Sequence, residues 1–204
     1  MSLPDLQKLV RLGKNFSRKE VKCLMRLFHD LVGEQPERRA VNSLDRGKFM
    51  NILHNTFRMT DDMMMGRVFC AFDKDNDGYI CLEEWIGGLS VFLRGSLDEK
   101  IEFCFNVYDW NGDGSISWGE MFQMLKSSLV KQPTEEDPDE GIKDLVDITL
   151  KKMDHDHDGM LSFADFEKSV REEHLLLEAF GSCLPDPKAI IAFEGQTFLN
   201  ASEI

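Results

Sequence analysis

The sequence has little proline (6 residues), little tyrosine (2), no CxxC pair among its 5 cysteines, and no apolar run approaching the roughly 18–20 residues that span a bilayer. Scarce proline leaves helices uninterrupted. An odd number of unpaired cysteines, Cys23, Cys70, Cys81, Cys104 and Cys183, argues against a disulfide framework and fits a reducing compartment. Positive charge is also short, with 24 Lys and Arg against 37 Asp and Glu, a formal charge of −13. That balance repels polyanions, so nucleic acid and an anionic membrane surface are disfavoured, and a cation or a basic partner fits better. The start, Met1-Ser2-Leu3-Pro4, carries neither a signal peptide nor a glycine for myristoylation, so a cytoplasmic protein with no membrane anchor is expected. There is no Gly-rich phosphate loop, GxSxG or HExxH, and no enzyme is expected.

What the chain does have is a repeat. Asp73-Lys-Asp-Asn-Asp-Gly78-Tyr-Ile-Cys-Leu-Glu-Glu84, Asp109-Trp-Asn-Gly-Asp-Gly114-Ser-Ile-Ser-Trp-Gly-Glu120 and Asp154-His-Asp-His-Asp-Gly159-Met-Leu-Ser-Phe-Ala-Asp165 fit one twelve-residue template. It is the EF-hand calcium loop, in which positions 1, 3, 5 and 12 offer side-chain oxygens, position 7 a backbone carbonyl, and position 6 a glycine for the sharp turn. The candidate ligands are Asp73, Asp75, Asp77, Tyr79 and Glu84; Asp109, Asn111, Asp113, Ser115 and Glu120; and Asp154, Asp156, Asp158, Met160 and Asp165. Tyr79, Ser115 and Met160 would contribute only their carbonyls. Ile80, Ile116 and Leu161, at position 8, should pair loops through a short backbone ladder.

Amphipathic helices flank each loop. Met65, Val68, Phe69 and Phe72 precede the first, Ile101, Cys104, Phe105 and Tyr108 the second, and Ile142, Leu145, Val146 and Thr149 the third, all at helical spacing. Hands work in pairs, and 36 residues before Asp73, the distance from Asp73 to Asp109, lies Glu37. Around it, Arg39, Val41 and Lys48 occupy positions 3, 5 and 12, which excludes calcium, while Leu44 keeps position 8. A degenerate first hand is expected, behind a helix opened by the capping box Ser17-Arg-Lys-Glu20. The expected fold is all-α: an N-terminal pair over residues 1–94, a C-terminal pair over 95–172, and a helical tail over 173–204. In the tail, Glu173 to Phe180 reads as an extension of the preceding helix, and Pro185-Asp-Pro187 opens a last short one. Ile190, Ile191 and Phe193 on that last helix suit either a groove filled in cis or a cap on the C-terminal lobe; deleting 182–204 should then expose apolar surface.

Three calcium ions would bring the charge from −13 to −7. In the third loop Asp165 is one methylene shorter than the usual bidentate Glu, which predicts weaker calcium binding there, or a site suited to magnesium. His155 and His157 stand at positions facing away from the ion, and Trp110 and Trp118 read as packing or rim residues. Met50, Met59, Met63, Met64, Met65, Met121 and Met124 lie on or near hand helices, where they serve either as core or as an adaptable surface for a partner helix.

A degenerate first hand, three intact hands and a C-terminal helix resemble the neuronal calcium sensors, with Ser2 in place of their myristoylated glycine and without their Cys-Pro pair in the first loop. Leu93-Arg-Gly-Ser-Leu-Asp-Glu-Lys100, Lys131 to Val146, Lys152-Met-Asp-His-Asp-His-Asp-Gly159 and Leu175-Leu-Leu-Glu-Ala-Phe-Gly181 are similar to the EF-hand calcium sensors of axonemal outer-arm dynein. That resemblance implies calcium-dependent binding to a dynein heavy chain, regulation of ciliary and flagellar motility in the axoneme, and microtubule or docking-complex proteins as further partners. A constitutive docking subunit of the outer arm and a cytosolic calcium buffer stay open as alternatives.

Overall fold

The computed structural model describes residues 3–33, 43–129 and 138–199. In chain order these form α1 (Leu3–Leu12), α2 (Arg18–Val32), β1 (Ser43–Asp45), α3 (Arg46–Asn55), α4 (Asp62–Phe72), β2 (Tyr79–Cys81) and α5 (Leu82–Arg94). There follow α6 (Leu97–Tyr108), β3 (Ser115–Ile116), α7 (Trp118–Ser128), α8 (Pro138–Met153), β4 (Leu161–Ser162), α9 (Phe163–Glu172), a 3-10 turn (His174–Glu178) and α10 (Pro187–Phe198). Contacts group the chain into two compact units, one of Met1–Thr60, Val68–Ser96 and Pro185–Ile204, the other of Asp61–Arg67 and Leu97–Leu184. Residues 173–204 are thus divided between the units: the 3-10 turn belongs to the second, α10 to the first.

In the first unit Ser17 and Glu20 close the expected capping box at the start of α2, which turns Val21, Leu24 and Phe28 inward. Leu44 pairs with Ile80 in the β1–β2 ladder, and both side chains are fully buried. The degenerate hand therefore keeps the strand partner it needs. Lys48, where a metal-binding loop carries its last carboxylate, instead reaches the carbonyl of Val32 at the end of α2, 2.8 Å away, so a fixed cation satisfies a helix C-terminus. Glu37, Arg39 and Val41 of that loop lie outside the described residues. Helix α1, which the apolar pattern did not reveal, docks on α5: Lys8 pairs with Glu83 at 2.7 Å, and Asn15 bonds both Ser90 Oγ and the Ser90 carbonyl.

The aromatic core of this unit is set by Phe28, Phe49, Phe72, Trp85 and Phe92, all essentially inaccessible. Gly88 on α5 faces Phe72 so closely that an added Cβ would fall 2.4 Å from the ring. Gly88→Ala is expected to destabilise the protein by about 1–3 kcal/mol through overpacking, read as a lower denaturant midpoint at constant m-value. An unchanged midpoint would mean that Phe72 moves aside freely.

The second unit repeats the plan. Ser117 and Ser162 cap α7 and α9 with Glu120 and Asp165 as the reciprocal partners, and Ile116 pairs with Leu161. Tyr108, Phe166 and Phe180 are fully buried at its centre. Here the structure corrects the sequence expectation for 173–180: α9 stops at Glu172, Glu173 leaves with φ −142° and ψ 100°, and a 3-10 turn follows. The cause is packing. The turn brings Phe180 edge-on to Tyr108, at 5.3 Å between centroids, and lets Tyr108 Oη donate to the Gly181 carbonyl at 2.7 Å. Continuing α9 would forfeit both contacts.

Proline placement reads correctly at α10, where Pro187 occupies the first turn and the Asp186 carboxylate accepts from the Lys188 N–H. Its Phe193 is buried against Phe57 within the first unit, the placement expected of a helix that fills a groove in cis there. Ile191, expected on the packing face, is 71% exposed. The methionines are mostly core, with Met64, Met65, Met121 and Met124 at 3% exposure or less.

Candidate metal centres

Each loop is a set of backbone N–H groups folded around carboxylates. In the first, Asp73 accepts from the N–H groups of Asp77 and Gly78, Asp77 from Tyr79, and Glu84 from Lys74 and Cys81. The second repeats this with Asp109 accepting from Gly112, Asp113 and Gly114, and Glu120 from Trp110, Asn111 and Ser117. The third has Asp154 accepting from His157 and Gly159, and Asp158 from Met160. The inward fold requires left-handed backbone twice per loop. Position 6 is glycine at φ 83°, 88° and 85°, and position 4, which sequence reading passed over, is left-handed too, at Asn76, Gly112 and His157.

The carboxylates converge. One ligand oxygen from each of Asp73, Asp75 and Glu84 lie within 4.8 Å of one another, and likewise Asp154, Asp156 and Asp158. The two groups differ at position 12: Glu84 belongs to its cluster and the shorter Asp165 does not, although each accepts from the residue three before it, Cys81 or Ser162. In the second loop the neutral Asn111 donates to Asp113 at 2.8 Å, easing the crowding of its three carboxylates. Burial pushes the Asp73 carboxyl up, helped by the charges of Glu84 and Asp77 against the N–H bonds that oppose it. At Asp154 burial also pushes upward, but the N–H groups of Gly159 and His157 prevail and hold it below the usual range.

The residues beside the candidate ligands behave as packing. His155 Nε2 lies 3.1 Å from Ser169 Oγ, away from the carboxylates. Trp118 stacks on Phe122 and donates to Asp147, and the Arg67 guanidinium sits over Trp110. Oxygen-rich, anionic donor sets of this kind fit a hard divalent cation. At position 7, the Tyr79 side chain is exposed and that of Met160 partly so.

An EF-hand family model matches residues 66–89, and a model of the EF-hand domain pair matches residues 98–171. Calaxin of Danio rerio is 65% identical over 93% of this chain and 90% of its own length, and calaxin of Homo sapiens is 63% identical over 100% and 98%. The chain belongs to the calaxin family. A calcineurin subunit of Candida glabrata is a more distant relative, 37% identical over 76% of the chain and 82% of its own length. Membership of the calaxin family and the EF-hand matches place the chain among calcium-binding EF-hand sensors. No helix among the described residues is long and apolar enough to cross a membrane.

The absence of Asp165 from its cluster sharpens the expectation for the third loop. Asp165→Glu should tighten calcium there by about tenfold, roughly 1.4 kcal/mol, and weaken magnesium competition, as read by calorimetry. Unchanged affinity for both ions would show that position 12 does not limit this site.

Proposed function

We propose that the chain is a calcium sensor that binds the heavy chain of axonemal outer-arm dynein in a calcium-dependent manner and regulates ciliary and flagellar motility. The observation that carries this reading is similarity to calaxins along nearly the whole chain, combined with two loops whose carboxylates converge as a divalent cation requires and a third, Asp109 to Glu120, of the same spacing. In this reading Asp73, Asp75, Asp77, Glu84 and the Tyr79 carbonyl hold one ion; Asp109, Asn111, Asp113, Glu120 and the Ser115 carbonyl a second; Asp154, Asp156, Asp158, Asp165 and the Met160 carbonyl a third. Calcium supplies charge that relieves the crowded carboxylates. Because position 1 ends the entering helix and position 12 begins the exiting one, the loop residues couple ion binding to the angle between helices. A partner that prefers one angle then responds to calcium, since a ligand shifts an equilibrium only through differential binding.

The test is a pull-down from detergent-extracted axonemes with the immobilised chain, in calcium and in chelator. Dynein heavy chain enriched only in calcium is the expected result. Equal recovery in both conditions would indicate a constitutive docking role, and no dynein in either would leave a calcium buffer as the better reading.

A further inference from the structure

Three cavities adjoin one another in the first unit, two of them lined by α10. One of about 370 Å³ shares Phe193 and Gln196 with a second of about 660 Å³, and Leu31 and Ile52 with a third of about 330 Å³. Thr56 borders all three. The helix therefore covers Phe57 while leaving a groove open beside it, walled by α2 and α3. Cys23, Leu27, Leu31, Ile52 and Trp85 make its lining apolar. The Trp85 indole is fully buried and forms part of the groove's floor.

The rim has the opposite sign to the molecule. Arg26, Lys48, Arg58 and Lys188 border the groove against only Asp30 and Asp186, in a chain of net charge −13. Arg26, Arg58 and Lys188 make no ion pair among the described residues. A docking segment feels chiefly the charges within a Debye length, about 10 Å at 0.1 M salt, so the residues that border the groove count for more than the chain's net charge.

We propose that this groove docks an acidic amphipathic segment of a protein partner, with its apolar stripe on the lining and its carboxylates against the rim. Whole-chain charge favours a basic partner, and the groove reverses that preference. The inference deepens the sensor reading by giving the partner's chemistry, and rests on it only in taking the target to be a protein.

Two synthetic peptides of about five helical turns test it, sharing one Leu/Phe stripe and differing in flanks of Glu or Lys, each titrated calorimetrically into the full chain with and without calcium. The acidic peptide is expected to bind at least tenfold more tightly, with a gap that narrows as salt rises. Charge reversal at two exposed positions, Arg26→Glu with Arg58→Glu, should abolish or invert the preference without moving the melting temperature. Equal or tighter binding of the basic peptide overturns the proposal, as does a preference that survives charge reversal. Co-sedimentation with phosphatidylserine vesicles that charge reversal abolishes, without peptide binding, would overturn it in favour of a membrane surface. Failure of the dynein pull-down leaves the peptide result standing, and failure of the peptides leaves calcium-dependent dynein capture standing, so the two readings fail separately.

Discussion

Saturating calcium should raise the thermal unfolding midpoint by more than about ten degrees over chelator. A single site filled at a thousand times its dissociation constant contributes about 4 kcal/mol, and each kcal/mol moves a chain of this size by roughly 2–4 °C. The structure gives the reason that the effect should be large: Asp73, Asp109, Asp154, Glu120 and Asp165 are all buried at 8% exposure or less, so their charges are poorly screened until a cation arrives. The contributions should also be unequal. Glu84→Gln removes a member of a preformed carboxylate cluster and should take away most of the calcium response of its loop, whereas Asp165→Asn removes a group that already stands outside its cluster and should take away less. Differential scanning calorimetry of the two variants in calcium and in chelator separates them. A midpoint insensitive to calcium in the parent chain would mean that the loops do not bind the ion, and equal losses in the two variants would mean that Asp165 swings in to ligate fully.

The loops were legible in the sequence because everything that builds them is local. Ligands, turn glycines and the position 8 apolar residue sit within twelve residues, and the ladders Leu44–Ile80 and Ile116–Leu161 follow once hands are paired. Features fixed by distant partners were not legible. Helix α1 is placed by Lys8 and Asn15 bonding Glu83 and Ser90, 75 residues away in each case. The break after Glu172 depends on Tyr108 meeting Phe180 and Gly181, and no local signal at Glu173 announces it. Lys48 could be excluded as a ligand from its charge, but its service to the Val32 carbonyl could not be foreseen. The basic groove rim is of the same kind, since it assembles Arg26, Arg58 and Lys188 from three separate helices or turns of an acidic chain.

Removing α10 should cost the first unit about as much as emptying a buried phenylalanine site, roughly 3–5 kcal/mol, and should sharply increase binding of a hydrophobic dye. The cut belongs before Asp186. A deletion from residue 182 would also strip Cys183 and Leu184, whose N–H groups both bond Glu178 in the second unit, and would confound the result. What α10 covers is specific: Phe193 packs at 5.2 Å on Phe57, which itself stacks edge-on with Phe92 of α5. What holds it is Arg94 at the end of α5, which pairs with Glu194 at 2.6 Å and Glu20 at 2.8 Å while its guanidinium lies over the rings of Phe16 and Phe198. The hydrogen bond to Glu194 is the main reason that the guanidinium is held even more firmly protonated than usual. Since the two ion pairs are only half-buried, Arg94→Ala should cost far less than the truncation, about 1 kcal/mol, and raise dye binding only partially. Helix α5 also starts inside the loop, at Leu82, with Glu84 in its first turn, so an ion that moves that turn pulls on Arg94 at the last. Calcium should therefore increase dye binding in the parent chain and have little further effect once α10 is gone. Dye binding unchanged by the truncation would show that α10 is not what shields Phe57, and an equal calcium response with and without α10 would uncouple the helix from the loop.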